Sequence, residues 1–191
     1  MRDGKKTKEL ISHTALSLFV EKGITETTIR DIAQAAGVAE GTLYRHYESK
    51  DELAWELFSH SFTAFAGELE RLHGEYGALK EKLGAMIRQF CRFYDEDPVL
   101  FNYLLLAQHA QLKKVTPDTP NPVVVVRDVI AQAIFRREIP PGDPDVLAAM
   151  VLGVVLQVAT FKLYGRVTRP LAELSESLVE ACYRVLQIAS P

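Results

Sequence analysis

The side chains best suited to gripping another molecule crowd into one short stretch. Thr42, Tyr44, Arg45 and His46 bring a hydroxyl, a phenol, a guanidinium and an imidazole within a few residues of each other. Such groups reach phosphate oxygens and base edges. They do not add up to a reaction centre. The chain has no Gly-rich phosphate loop, no Gly-x-Ser-x-Gly and no His/Cys/Asp grouping at metal spacing. No enzyme is therefore expected, and no catalytic residue, metal or cofactor. Asp95-Glu96-Asp97 before Pro98 reads as a solvated helix end.

Two short helices must carry that stretch. Thr27 and Thr28 have hydroxyls able to cap a helix, and Asp31 suits its positive end. Ala35-Ala36-Gly37-Val38 is the turn, where glycine lets the chain reverse through positive φ. Ile29, Ile32, Ala33, Val38 and Leu43 can face inward together, which leaves the polar residues of the second helix outside. Ahead of them, Leu10, Ile11, Ala15, Leu18 and Phe19 mark a first helix that Gly23 ends. Behind them, Ser49 and Glu52 have the spacing of a capping box. That box opens a long helix striped by Phe58, Phe62, Phe65, Leu69 and Leu72.

The 3.6-residue period continues to the end of the chain, and strand alternation is missing. Helices are expected at about 78–96, 98–113, 121–137, 143–164 and 170–189. Val123 to Val126 are β-branched, but they follow Pro122 and read as a first helical turn. The expected fold is all-α, with about nine helices. Of 191 residues 48% are hydrophobic, and the net charge is −3, so overall charge gives nucleic acid no preference for this protein. Residues 1–50 nevertheless carry +1 and the remainder −4, so the positive end is the N-terminus. Cys91 and Cys182 sit among apolar residues and read as buried thiols of a reducing cytosol. No apolar signal region follows the basic N-terminus, so a cytoplasmic location is expected. The uncharged run from Val146 to Phe161 is shorter than the roughly 20 residues that span a bilayer. It reads as a doubly buried helix of a soluble protein.

Thr28-Ile29-Arg30-Asp31-Ile32-Ala33, Ala36-Gly37-Val38-Ala39-Glu40-Gly41-Thr42-Leu43-Tyr44-Arg45-His46-Tyr47 and Ser49-Lys50-Asp51-Glu52-Leu53 together resemble the signature of the TetR family of transcriptional regulators. The likeness covers about residues 8–55. It implies a helix-turn-helix DNA-binding domain over 1–50 and a helical effector-binding and dimerisation domain over 51–191. It also implies a homodimer that binds a palindromic operator in double-stranded DNA, represses transcription and is released by a small-molecule effector. By that likeness Thr28 and Arg30 lie against phosphate, Glu40, Gly41 and Thr42 approach bases, and Tyr44, His46 and Lys50 hold the backbone. Arg45 is long enough to reach either a guanine or a phosphate. Two positions depart from the family. Ala39 replaces a frequent capping Ser. Glu40 stands where Lys or Pro is common, and its carboxylate either accepts from a cytosine amino group or points to solvent. The basic residues Arg2, Lys5, Lys6 and Lys8 form either a DNA-reaching arm or a solvated tail.

In the second half, Leu171, Leu174, Leu178, Ala181, Cys182, Val185 and Ile188 form one stripe, and the helix before it is apolar nearly all round. A helix buried on all sides needs partners on all sides, so these two helices are expected to build a homodimer interface. Phe90, Phe93, Tyr94, Phe101, Tyr103, His109, Phe135, Gln157, Phe161 and Tyr164 mix aromatic surface with polar atoms in the way small-molecule pockets do. Phe90, Phe93, Tyr103, His109, Phe135, Gln157 and Phe161 are the ligand candidates, on the strength of the family likeness. The competing reading is a helical small-molecule-binding or interaction protein without specific DNA binding.

Overall fold

The structure is a computed structural model that describes residues 2–188, with side chains from residue 4. Its helices are α1 (Arg2–Lys22), α2 (Ile29–Ala35), α3 (Glu40–Tyr44), α4 (Lys50–Glu75), α5 (Leu79–Glu96), α6 (Pro98–Gln111), α7 (Pro122–Phe135), α8 (Pro144–Leu163) and α9 (Leu171–Val185). A 3-10 turn, Leu112–Lys114, follows α6. Among the described residues there is no strand. The valine run does open α7, with Asn121 as its N-cap and Pro122 in the first turn. The last helix stops at Val185, short of the expected end at Ala189, which lies outside the described residues.

Four helices end in the same way. At Gly37 (φ 65°) the Val38 N–H donates to the Ala33 carbonyl at 3.0 Å. Gly165 (φ 69°), Arg137 (φ 60°) and Gln187 (φ 56°) close α8, α7 and α9 with equivalent bonds. Each satisfies carbonyls that a helix end would otherwise orphan.

Two helices borrow their caps from elsewhere in the chain. Ala78 gives α5 no side-chain cap, and the Glu138 carboxylate accepts from the Leu79 N–H at 2.7 Å. Pro170 gives α9 none, and Asp95 accepts from the N–H groups of Leu171 and Ala172 at 3.0 and 2.8 Å. Asp95 is thus no solvated helix end, as its acidic neighbours suggested. It caps, from outside, a helix that begins 76 residues later in the chain.

The helices pack into two compact units. The first takes the chain through Ser61 together with Val99–Thr116, so that α6 and the first part of α4 join α1, α2 and α3. Tyr103 on α6 stacks on Phe19 of α1, with ring centroids 5.8 Å apart, and its buried hydroxyl donates to the Ala54 carbonyl of α4 at 2.6 Å.

The second unit takes Phe62–Pro98 and the chain from Pro117 onward. Here α5 packs on α9 and α7, while α8 packs on α7 and α9. The α5–α9 approach is close. A Cβ on Gly84 would lie 2.8 Å from the Tyr183 hydroxyl, which donates to the Lys80 carbonyl at 2.5 Å. Cys91 and Cys182 are buried in this core, and burial pushes their thiols up to about 12 and about 11, so both stay protonated and inert.

The two helices expected to form an interface behave differently. On α9, Leu171, Leu178 and Cys182 of the apolar stripe are buried against their own chain, while Leu174, Ala181, Val185 and Ile188 are only half-buried. The exposed side of α9 carries Glu173, Glu176, Ser177 and Arg184. On α8, Ala148, Val151, Val155 and Ala159 turn inward, while Val146, Ala149, Met150, Gly153, Gln157 and Phe161 form an exposed face. Its most apolar stretch is only 22% buried, so within its own chain the helix is covered on one side. By length and composition alone this helix would also cross a membrane.

Candidate nucleic-acid interface

The path to α3 is fixed by its flanks. The Thr28 side chain accepts from the Asp31 N–H, and the Asp31 carboxylate accepts from both the N–H and the hydroxyl of Thr28. These bonds hold the Asp31 carboxyl below its ordinary range. They also commit Thr28, expected against phosphate, to capping α2. Thr27 is buried instead, and its hydroxyl donates to the carbonyls of Gly23 and Leu18. At the start of α4, Ser49 accepts from the Glu52 N–H, but the Glu52 carboxylate accepts from the Glu48 N–H rather than closing the expected box on Ser49.

Tyr47 clamps the exit of α3. It is buried, its hydroxyl lies 3.0 Å from Ser12 Oγ on α1, and burial raises its pKa. Lys8 lies over the Tyr47 ring and pairs with Glu56 on α4 at 2.6 Å. That hydrogen bond raises the Lys8 pKa. Lys8 is therefore part of a helical scaffold rather than of a loose arm. Lys5 pairs with Glu9 at 3.9 Å along α1, and the Arg2 side chain lies outside the described residues. Tyr47, Ser12 and Glu56 had not been singled out from the sequence. The spacing of Tyr47 four residues after buried Leu43 is the signal that places it inside.

With Leu43 and Tyr47 inward, the opposite side of α3 is bare. Glu40, Gly41, Tyr44 and Arg45 are exposed, while Thr42 and His46 are half-buried. Tyr44 keeps 54% of its surface in solvent. Among the described residues nothing pairs with Glu40, Tyr44 or Arg30. Arg45 donates to the Thr42 hydroxyl at 3.0 Å. Ala39 supplies α3 no side-chain cap, as the sequence suggested. Gly41 has no internal reason to be glycine: its φ is not positive, and an added Cβ would meet nothing within 4 Å. Lys50, expected on the DNA backbone, spends two of its three N–H groups on the carbonyls of Thr25 and Thr27, at 3.1 and 2.6 Å. It staples the α1–α2 loop to the start of α4.

The ligand candidates fall in both compact units, and within the second they are spread over α5, α7 and α8. Phe90 and Phe93 flank Phe65, whose ring stacks on Phe93 at 5.0 Å and meets Phe90 edge-on at 6.5 Å. Phe135 is 87% exposed at the end of α7, and Gln157 and Phe161 lie on the open face of α8. Tyr103 is committed to Ala54 in the first unit, and His109 is exposed on the same helix.

Three helices, a glycine turn between the second and third, and an uncovered polar face on the third define a helix-turn-helix DNA-binding domain. Residues 11–57 match bacterial regulatory proteins of the tetR family. The fatty acid metabolism regulator protein of Bacillus subtilis (strain 168) is 25% identical over 175 residues, covering 89% of this chain and 90% of that protein. The HTH-type transcriptional repressor KstR2 of Rhodococcus jostii is 39% identical over 75 residues, which is 39% of this chain and only 32% of the repressor. Among solved structures, the transcriptional regulator FadR from Bacillus subtilis in complex with stearoyl-CoA superposes with a TM-score of 0.73 at 21% identity. That match covers 95% of this chain and 99% of the other, and it shows a shared fold. Residues 11–57 thus carry a helix-turn-helix of the tetR-family type, and the chain as a whole is similar to transcriptional regulators.

Proposed function

We propose that the protein is a ligand-responsive repressor that binds a palindromic operator as a homodimer in the cytoplasm. Its DNA-reading part lies within residues 1–50, and its effector-binding and dimerising part within 51–191. The observation that carries the reading is the outward face of α3. A short helix that leaves a tyrosine 54% exposed, and tolerates a glycine its own chain does not require, has a partner in view. Glycine in a helix costs about 0.8–1 kcal/mol relative to alanine, and close backbone approach to bases is a use that would justify the cost. Glu40 and Gly41 approach base edges, with Thr42 beside them. Tyr44, His46 and Arg30 meet the backbone, and Lys50 has one N–H left for a phosphate. Two copies of α3 would enter successive major grooves about 34–36 Å apart.

The exposed face of α8, from Val146 through Met150 and Gly153 to Phe161, supports a partner of the same kind. A second copy covering it by two-fold symmetry would bury the apolar surface of both. The effector is a small molecule bound in the second unit. A fatty acyl-CoA is the first to try, given the stearoyl-CoA held by the Bacillus subtilis neighbour. It would act only through a difference in affinity between the DNA-bound and released conformations.

Selection of genomic fragments by the full-length protein, followed by titration at 50 and 200 mM salt, tests the reading. A dimer neutralising roughly 6–10 phosphates should lose roughly 10³–10⁵ in affinity over that range. Tyr44→Ala should weaken binding to all sequences alike. A variant that binds as tightly as the parent removes α3 from the interface.

A further inference from the structure

We propose that Arg45 reads a guanine in the operator, and that Thr42 is the positioning residue that aims it. The inference rests on the DNA-binding reading above. It decides between base and phosphate for a side chain long enough to reach either.

Arg45 is the only cation between Glu40 and the C-cap of α3. The nearby lysines are engaged, Lys50 on two loop carbonyls and Lys8 on Glu56. Arg45 is exposed, and among the described residues no carboxylate pairs with it. Its single anchor is neutral: Nη2 donates to Thr42 Oγ1 at 3.0 Å. Residues three apart share a helix face. That bond therefore draws the guanidinium back from the C-terminal end of α3 toward the first turn, the part of a recognition helix that meets base edges. It spends one of five N–H donors and leaves the fork that matches guanine O6 and N7. Gly41, four residues before Arg45, has no side chain, and an added Cβ would find nothing within 4 Å. The surface at Gly41 therefore offers room for a base pair edge. A phosphate-binding arginine needs none of this. It gains from a free, extended side chain at the rim, whereas a base reader gains from being held before contact.

Thr42 accordingly contributes through Arg45 rather than through a base of its own. The two residues act as one element with one preferred base.

Selection from a pool of randomised half-sites, run on the full-length protein and on Arg45→Ala, Arg45→Lys, Thr42→Val and Thr42→Ser, tests the pairing. The parent should favour guanine at one position of each half-site. Arg45→Ala should level that preference by about 10–100-fold and leave the other positions alone. Arg45→Lys should keep the salt dependence while losing much of the preference. Thr42→Val should weaken the same preference at the same position, Thr42→Ser should restore it, and Thr42→Val should add nothing in the Arg45→Ala background. A uniform loss of affinity in Arg45→Ala, with a shallower salt slope and an unchanged sequence preference, would make Arg45 a phosphate contact and overturn the proposal. A change at a different position in Thr42→Val would overturn the pairing. If the parent itself enriches no sequence, the DNA-reading role falls and takes this proposal with it, an outcome distinct from both.

Discussion

Asp95→Ala removes the cap that α5 lends to α9. The carboxylate accepts two N–H groups from the first turn, at 3.0 and 2.8 Å, and Pro170 offers nothing in its place. Hydrogen bonds to an ionised acceptor are worth about 1.5–3 kcal/mol each, and loss of an N-cap about 0.5–2 kcal/mol. Asp95 is half-buried and the Ala172 end is exposed, so water recovers part of the loss. The Leu171 end recovers less, because that residue is fully buried. A destabilisation of about 2 kcal/mol follows from these ranges. For a chain of this size that lowers Tm by about 4–8 °C. Asp95→Asn keeps one acceptor oxygen and should lose roughly 1 kcal/mol. Urea titrations and thermal melts at one protein concentration measure both, since association would shift apparent stability. The reasoning fails if Asp95→Ala stays within about 0.5 kcal/mol of the parent, or if Asp95→Asn is equally damaging.

Gly84→Ala should cost about 1–3 kcal/mol by driving a Cβ into the Tyr183 hydroxyl; combined with Tyr183→Phe, the total loss in a urea titration should fall short of the sum of the single losses. Arg137→Gly should stabilise the protein by about 0.5–1 kcal/mol, because the residue is exposed and held at φ 60°; a lower urea midpoint would contradict this. His73 has a buried Nδ1 without a hydrogen-bond partner, and burial together with the charges of Lys82 and Arg136 lowers its pKa, against a smaller opposing effect of Asp128. Below the unfolded value of about 6.5 the unfolded chain therefore binds a proton that the folded chain refuses, so stability drops as the pH falls through that window and levels off below the folded value. His73→Gln should flatten the fall between pH 7.5 and 5.5, and an unchanged profile would assign it to other groups.

Local chemistry was legible in the sequence where it is decided locally. The glycine turn at Gly37, the cap at Thr28 and the inward set Ile32, Ala33 and Leu43 all stand where spacing put them. What the residue pattern did not carry depended on neighbours distant in the chain. The 3.6-residue stripe on α9 shows that Leu171, Leu178 and Cys182 face something apolar, but not whether that surface is their own chain or another. The charge of Lys50 suggested phosphate, yet two carbonyls from a loop over 20 residues earlier take most of its donors. Asp95 looked like solvent-facing punctuation because its partners lie 76 and 77 residues downstream. Phe135 looked like pocket lining because aromatic identity does not report exposure. In α3 the sequence singled out Thr42 and Arg45, but not the bond between them, since an arginine rotamer has no trace in a residue pattern.

The placement of α6 bears on how such a protein can change over evolutionary time. Tyr103 fills the space between Phe19 and Ala54, so the DNA-binding unit is finished by residues encoded far downstream of it. A recombination joint cut after the helix-turn-helix would bring in a foreign α6, and with it a foreign plug for that space. Exchange of effector halves between relatives is then constrained at a handful of positions on α6, even while the rest of the imported half is free to differ. Drift in the two stretches is tied together: a larger residue at 19 calls for a smaller one at 103, however distant the two codons lie.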